Sequence, residues 1–176
     1  AKRQILLNYL LDMSMSVGLG THLSFLIHAV ENSEGPIAEI GAGFYSTPYL
    51  HYKAQQMGRE LFTFENDKKF LSAFDRYKSD THHIIPVDNW DDIDLESKHW
   101  GVALIDHAPA DRRIEEIRRL ANNCDFIVIH DTEGRREHYY HYSETLKTFK
   151  NRKDFTRERP HTTVVSNLKD VWNFPS

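Results

Sequence analysis

The chain has one cysteine in 176 residues. A lone thiol closes no intramolecular disulfide, so a disulfide-stapled scaffold is excluded and a reducing compartment is compatible. Glycine and proline are sparse, at 8 and 6, which removes collagen-like and low-complexity readings. No apolar run approaches the roughly 18 residues needed to cross a bilayer. Asp12 also breaks the first apolar stretch, where a signal peptide would be uninterrupted. The expectation is one cytoplasmic domain over 1–176, neither secreted nor membrane-bound. Positive charge is not in excess either: the net charge of −4 disfavours general nucleic-acid binding. From Gly134 to Pro160, however, eight Lys or Arg stand against four Asp or Glu. That basic rim is either a solvated face or the meeting place of an anionic partner.

What is present is an alternation of short apolar runs with amphipathic stretches. Ile5, Leu6, Tyr9 and Leu10 have helical spacing, as do Leu23, Leu26, Ile27 and Val30, with Gly18 and Gly20 between them. Two helices are therefore expected within 1–33, ahead of a core over 37–176. Strands are predicted at 37–40, 61–65, 83–87, 101–106 and 126–131. Helices are predicted from the Gly41–Gly43 turn to about Gln56, over 67–77, and over 111–121. Strands without polar alternation belong where helices cover both faces, so the fold class is α/β with a mostly parallel sheet. DFTRE and TTVVSN read as two closing strands, antiparallel because only a short loop joins them.

In such sheets ligands bind beyond the carboxyl ends of the strands. The residues just past the runs are Glu39, Gly41 and Gly43; Glu65; Asp88; Asp106 and His107; and His130 and Asp131. Glycines at 41 and 43 allow a tight turn and close approach of a ligand, and the helix that follows offers free N–H groups. A dinucleotide fingerprint would want a third Gly or Ala where Ser46 stands. A carboxylate at Glu39 instead suits a cationic amino-acid moiety. Glu65 lies 24 residues after Gly41, near the spacing at which an acid accepts ribose hydroxyls.

The pattern ExGxGxxS over Glu39–Ser46, followed by the acid of Phe64-Glu65-Asn66-Asp67, resembles the class I S-adenosylmethionine-dependent methyltransferases. The likeness spans nearly the whole chain. It implies a Rossmann-like sheet of seven strands with helices on both faces, and S-adenosylmethionine as cofactor. By that resemblance Glu39, Gly41, Gly43 and Ser46 line the methionine part, Glu65 the ribose, and Asp88 with Asn89 or Trp90 the adenine. The N-terminal helices would cover the cofactor. Leu104-Ile105-Asp106-His107 and Val128-Ile129-His130-Asp131 are similar, in part, to the strand ends of catechol O-methyltransferase-like enzymes. Those enzymes hold a divalent cation there, so Asp106, His130 and Asp131, with Glu133 nearby, become candidate ligands for Mg or Mn. Imidazole among them shifts the preference toward Mn, Fe or Zn.

Two chemistries are open for Asp106, His107, His130 and Asp131: a metal-bound acceptor oxygen, or a histidine as general base. Arg112 and Arg113 are surface residues or a clamp for an anionic substrate group. Tyr139 belongs to an aromatic run, His138–Tyr142, that forms a lid, an oligomer surface or ordinary packing. His82-His83 and His138/His141 lack a zinc-site spacing. The expected activity is methyl transfer to a hydroxyl, less favourably an amine, of a small polar molecule or sugar. The rivals are a cofactor-binding module without turnover and a metal-dependent nucleotide hydrolase on a Rossmann-like sheet. Methylation of nucleic acid through the 134–160 rim ranks last.

Overall fold

A computed structural model describes residues 20–176; the first expected helix lies outside them. Seven strands form one sheet: β1 (Ile37–Ile40), β2 (Leu61–Glu65), β3 (His82–Pro86), β4 (Trp100–Ile105), β5 (Cys124–His130), β6 (Asn151–Phe155) and β7 (Thr162–Ser166). Their order is β3-β2-β1-β4-β5-β7-β6. The first five are parallel, β7 runs antiparallel to β5, and β6 is antiparallel to β7. The chain thus starts in the middle of the sheet, moves to one edge, returns and moves to the other.

The helices follow from spacing. In α1 (Leu23–Glu31), Leu23, Phe25, Leu26, Ala29 and Val30 are buried. In α2 (Ser46–Met57), Tyr49, Leu50 and Ala54 are buried, and Gly58 closes the helix in the left-handed conformation. These two helices pack with Val171 and Phe174 over Ile37, Leu61, Val102, Leu104 and Val128 on one face of the sheet. The opposite face carries Ala38, Ile40, Phe64, Ala103, Ile105, Ile127 and Ile129 under the helix that contributes Ile117 and Leu120. A fully buried side chain of this kind contributes about 1.5–3 kcal/mol, and both faces of β1, β4 and β5 are enclosed, which is why those strands read as unbroken apolar runs.

Two predicted helices are shorter than the spacing suggested. The 67–77 stretch is α3 (Lys68–Leu71), capped by Asp67, followed by a 3-10 segment (Ser72–Tyr77). The 111–121 stretch begins as a 3-10 turn and becomes α4 only at Arg113–Leu120. The aromatic run forms α5 (Glu137–Tyr140) and α6 (Tyr142–Leu146), with His141 left-handed between them. Between β3 and β4 there is no α-helix. Trp90, Ile93 and Leu95 from that connection drop into the core instead.

Candidate active site

The carboxyl ends of β1, β2, β4 and β5 lie side by side, because Ile40 is in register with both Phe64 and Ile105, and Ile105 with Ile129. The chain leaves β1 at Gly41 with φ +98; a Cβ there would stand 2.6 Å from the carbonyl carbon and oxygen of Asp106. Only glycine lets the first turn press against the end of β4. At Gly43 a Cβ would meet Ser46 Oγ at 2.9 Å, and Ser46 cannot yield because it is anchored to Glu39.

Glu39 has no exposed surface. Its carboxylate accepts from Ser46 Oγ (2.5 Å), Thr47 Oγ1 (2.9 and 3.0 Å) and Thr63 Oγ1 (2.6 Å). Burial pushes its pKa up to about 7, against the pull of those hydroxyls. Glu39 therefore fastens the turn from beneath and is not aimed at the ligand space that the sequence pattern suggested. Ser46 is likewise buried. The anchoring continues across the sheet: Thr63 Oγ1 is 2.9 Å from His82 Nε2, and His82 Nδ1 is 2.9 Å from His51 Nδ1. With both imidazoles neutral, each donor meets one acceptor from His51 through His82 and Thr63 to Glu39. Burial brings His82 down to about 4.

Glu65, at the end of β2, accepts from the Ala42 N–H (3.1 Å) with one oxygen and the Asp67 N–H (2.7 Å) with the other. Each oxygen retains a lone pair, and the residue is placed against the glycine turn as the 24-residue spacing required. Asp88 is exposed and paired with Lys68 (2.6 Å), while the Asn89 side chain accepts from the Asp91 N–H. Both line a cavity of about 360 Å³ that runs over Phe62, Phe64 and Val87. Trp90 corrects the sequence reading. It is buried, donates from Nε1 to the Ala108 carbonyl and packs on His107 at 4.4 Å between ring centroids, so it offers no face to an adenine.

His107 is the second correction. Its ring turns away from the strand ends, with Nε2 2.8 Å from Glu116 in full burial. Burial leads the effects that lower its pKa, and the Glu116 contact opposes it. It is a core histidine and no base for a substrate. Both arginines are also engaged. Arg112 is held by Glu116 and Asp91. Arg113 is buried, donates to the carbonyls of His107 (2.7 Å) and His130 (3.3 Å), and pairs with Asp106 (3.1 Å) and Asp131 (3.5 Å). Burial opposes its charge, but Tyr142, Asp106 and Tyr140 outweigh it and raise its pKa. It ties the ends of β4 and β5 together, so a substrate clamp is not its role. Tyr139 is exposed and touches only the neighbouring His138 ring among the ring contacts of the described residues. Tyr140 and Tyr142 are buried, stacked packing.

At the ends of β4 and β5, Asp106 and His130 meet: His130 Nδ1 is 3.2 Å from Asp106 Oδ1. Burial alone would raise the Asp106 carboxyl, but the bond to His130 and the nearby Arg113 hold it down to about 2. His130 in turn is lifted by Asp106 above what its burial would give. Asp131, left-handed with φ 60, turns to Tyr140 (3.1 Å) and Arg113. The third residue of the cluster is His22, which the sequence reading passed over. Donor atoms of His22, Asp106 and His130 all lie within 4.8 Å of one another. Burial and the nearby His130 bring His22 down to about 3. The signal for it was present in GLGTHL, just ahead of α1, but nothing local ties that segment to β4 and β5.

No protein-family model and no curated protein matches the sequence. Solved structures do match. A methyltransferase from Pyrococcus furiosus superposes with a TM-score of 0.59 at 13% identity, covering 96% of this chain and 99% of that one. The N-terminal domain of human METTL16 in complex with SAH gives a TM-score of 0.58 at 12% identity, with 85% and 71% covered. The human methyltransferase 10 domain containing protein gives 0.55 at 16%, with 85% and 83% covered.

This is the class I methyltransferase fold.

The seven-stranded sheet and its antiparallel closing pair are those the resemblance implied. The narrower likeness to catechol O-methyltransferase-like enzymes is not shown by these neighbours. Within the methyltransferase fold, the glycine turn and Glu65 stand on one side of the carboxyl edge, and Asp106, His130 and His22 on the other. Among the described residues no helix is long and apolar enough to cross a membrane.

Proposed function

We propose that this chain binds S-adenosylmethionine and transfers its methyl group to a hydroxyl of a small polar molecule or sugar. The observation that carries the reading is Glu65, fixed by Ala42 and Asp67 beside a turn whose close approach to β4 only Gly41 permits. Each Glu65 oxygen has a lone pair left for a ribose hydroxyl. Gly41 and Gly43 let the turn lie close against the end of β4 and Ser46, and this turn takes the methionine part. Asp88 and Asn89, at the mouth of the cavity over Phe64 and Val87, suit the adenine. A SAH-bound neighbour of the same fold supports this cofactor. When bound, the cofactor supplies a methyl group on a sulfonium, which is already a good leaving group, so the protein's task is chiefly alignment.

Asp106 and His130 take the acceptor side. The Asp106 carboxylate, paired with His130, accepts a hydrogen bond from the hydroxyl and so orients its oxygen for attack. The basic rim does not redirect this reading to nucleic acid, because several of its cations are already matched: Arg136 with Glu133, Lys147 with Glu144 and Arg152 with Asp154.

Calorimetric titration with S-adenosylmethionine, S-adenosylhomocysteine and NAD tests the cofactor. The expected result is micromolar binding of the two sulfur ligands and none of NAD. Glu65→Gln, which keeps the shape of the turn, should weaken binding at least tenfold, with circular dichroism reporting an intact fold. Absence of binding by the parent protein would overturn the reading. A screen of hydroxylated acceptors with methyl-labelled cofactor then identifies the substrate.

A further inference from the structure

His22 poses a problem that the methyl-transfer reading does not answer. Its side chain is buried, and among the described residues both ring nitrogens lack a hydrogen-bond partner. A buried polar group without a partner is costly and calls for an explanation. It does not sit among apolar side chains alone. Its ring meets the His130 ring edge-on at 4.8 Å between centroids, and Asp106 completes the group.

We infer that His22, Asp106 and His130 form a binding site for a divalent transition-metal ion. The site rests on donor chemistry and geometry. His130 Nδ1 and Asp106 Oδ1 are 3.2 Å apart. Two bonds of about 2.1 Å to a common ion would subtend an angle of about 100°, between tetrahedral and octahedral values. A ligating imidazole usually donates from its other nitrogen to a fixed acceptor. His130 Nε2 faces Thr21 Oγ1 at 3.3 Å, and that hydroxyl donates to the Pro160 carbonyl at 2.7 Å. Arg113 steadies the Asp106 carboxylate from outside. His22 closes the set by swinging one of its unpartnered nitrogens toward the pair.

Two imidazoles and one carboxylate select zinc, iron or cobalt over magnesium or calcium, which favour all-oxygen sites. Three protein ligands leave room for an exchangeable one. Because the group stands at the ends of β4 and β5, that exchangeable position opens on the acceptor side, where an ion would lower the pKa of a bound hydroxyl. The site differs from the one that the sequence pattern suggested in one ligand, His22 in place of Asp131, and a second imidazole strengthens the shift toward iron or zinc. Asp131, whose Oδ2 is 3.7 Å from His130 Nδ1, is engaged by Tyr140 and Arg113, and His22 comes from a segment more than eighty residues away in sequence.

The site is tested on the full chain by titration with Zn²⁺ and with Co²⁺, following heat, the Co²⁺ absorption spectrum and the metal content after dialysis. One ion per chain is expected, with a Co²⁺ spectrum of histidine ligation, and Zn²⁺ should raise the melting temperature. His22→Ala should lose at least about tenfold in affinity, the scale of loss seen even for residues that only support a ligand. Since the His22 ring makes no hydrogen bond among the described residues, that variant should fold, and a melting curve in EDTA checks it. No stoichiometric binding, or binding undiminished in His22→Ala, overturns the inference; the second outcome would place the ion on other histidines. Titrating S-adenosylmethionine into the same samples keeps the two readings separate, since either ligand can bind when the other fails.

Discussion

Replacing Glu39 by Gln should change how stability depends on pH, because burial makes this carboxyl hold its proton more tightly when the protein is folded. Its pKa rises from an ordinary 4.5 to about 7. Below about pH 4.5 both folded and unfolded chains carry the proton. Between there and about pH 7 the unfolded chain ionises freely while the folded chain resists, so stability falls as pH rises, and above 7 the loss is complete. At about 1.4 kcal/mol for each tenfold change in proton affinity, the loss amounts to ~3 kcal/mol. The groups facing Glu39 are Ser46 and Thr47 from α2, Thr63 from β2, and Asp106 from the end of β4. His82 of β3 acts through Thr63. Glutamine preserves the shape and cannot ionise. Urea unfolding of parent and Glu39→Gln at pH 5, 6, 7 and 8 measures the difference, in which background titrations largely cancel. The variant should gain about 2.5 kcal/mol on the parent between pH 5 and pH 8, whatever the offset at pH 5. Parallel profiles would refute the account and mean that the three hydroxyl donors hold Glu39 ionised throughout.

Three other outcomes follow from the packing. Gly41→Ala should cost about 2–5 kcal/mol in denaturant unfolding, from a positive φ and a Cβ driven into the backbone of Asp106; a loss under 1 kcal/mol would mean that the turn can move away. Arg113→Lys keeps the charge but loses the planar fork that joins β4 to β5, so it should cost about 2–4 kcal/mol. An unfolding midpoint within error of the parent would contradict that. Cys124 is buried, and burial pushes its thiol pKa well up. A disulfide reagent should therefore titrate no thiol in the native protein and one in guanidinium chloride, and prompt native reaction would show the strand to be open.

Much of the fold was legible because its strands are buried on both faces. IAEI and LFTFE begin and end where the composition predicted, since a run without polar alternation has no other place in a globular chain. β6 was read three residues too late, as DFTRE over 154–158, where the strand is Asn151–Phe155. Asn151–Phe155 alternates half-buried and exposed residues at the sheet edge, so its polar side chains conceal a strand whose neighbour lies on one side only. α3 and α4 came out short because the spacing shows which face is buried but not where 3-10 geometry takes over.

For the site, the sequence alone determined which residues stand at the strand ends, since chain order and period fix that locally. Gly41, Gly43, Glu65, Asp106 and His130 were all found this way. It left open which way each side chain turns. Glu39 turns under the sheet to three hydroxyls, one of them on another strand. His107 turns into the core toward Glu116 and Trp90, and Arg113 spans two strand ends. These choices depend on partners distant in sequence, which only the tertiary structure brings within hydrogen-bond reach. The same holds most strongly for His22: it is one histidine among 11, distinguished by no local pattern, until the packing of α1 sets it beside Asp106 and His130 with both ring nitrogens unpartnered among the described residues.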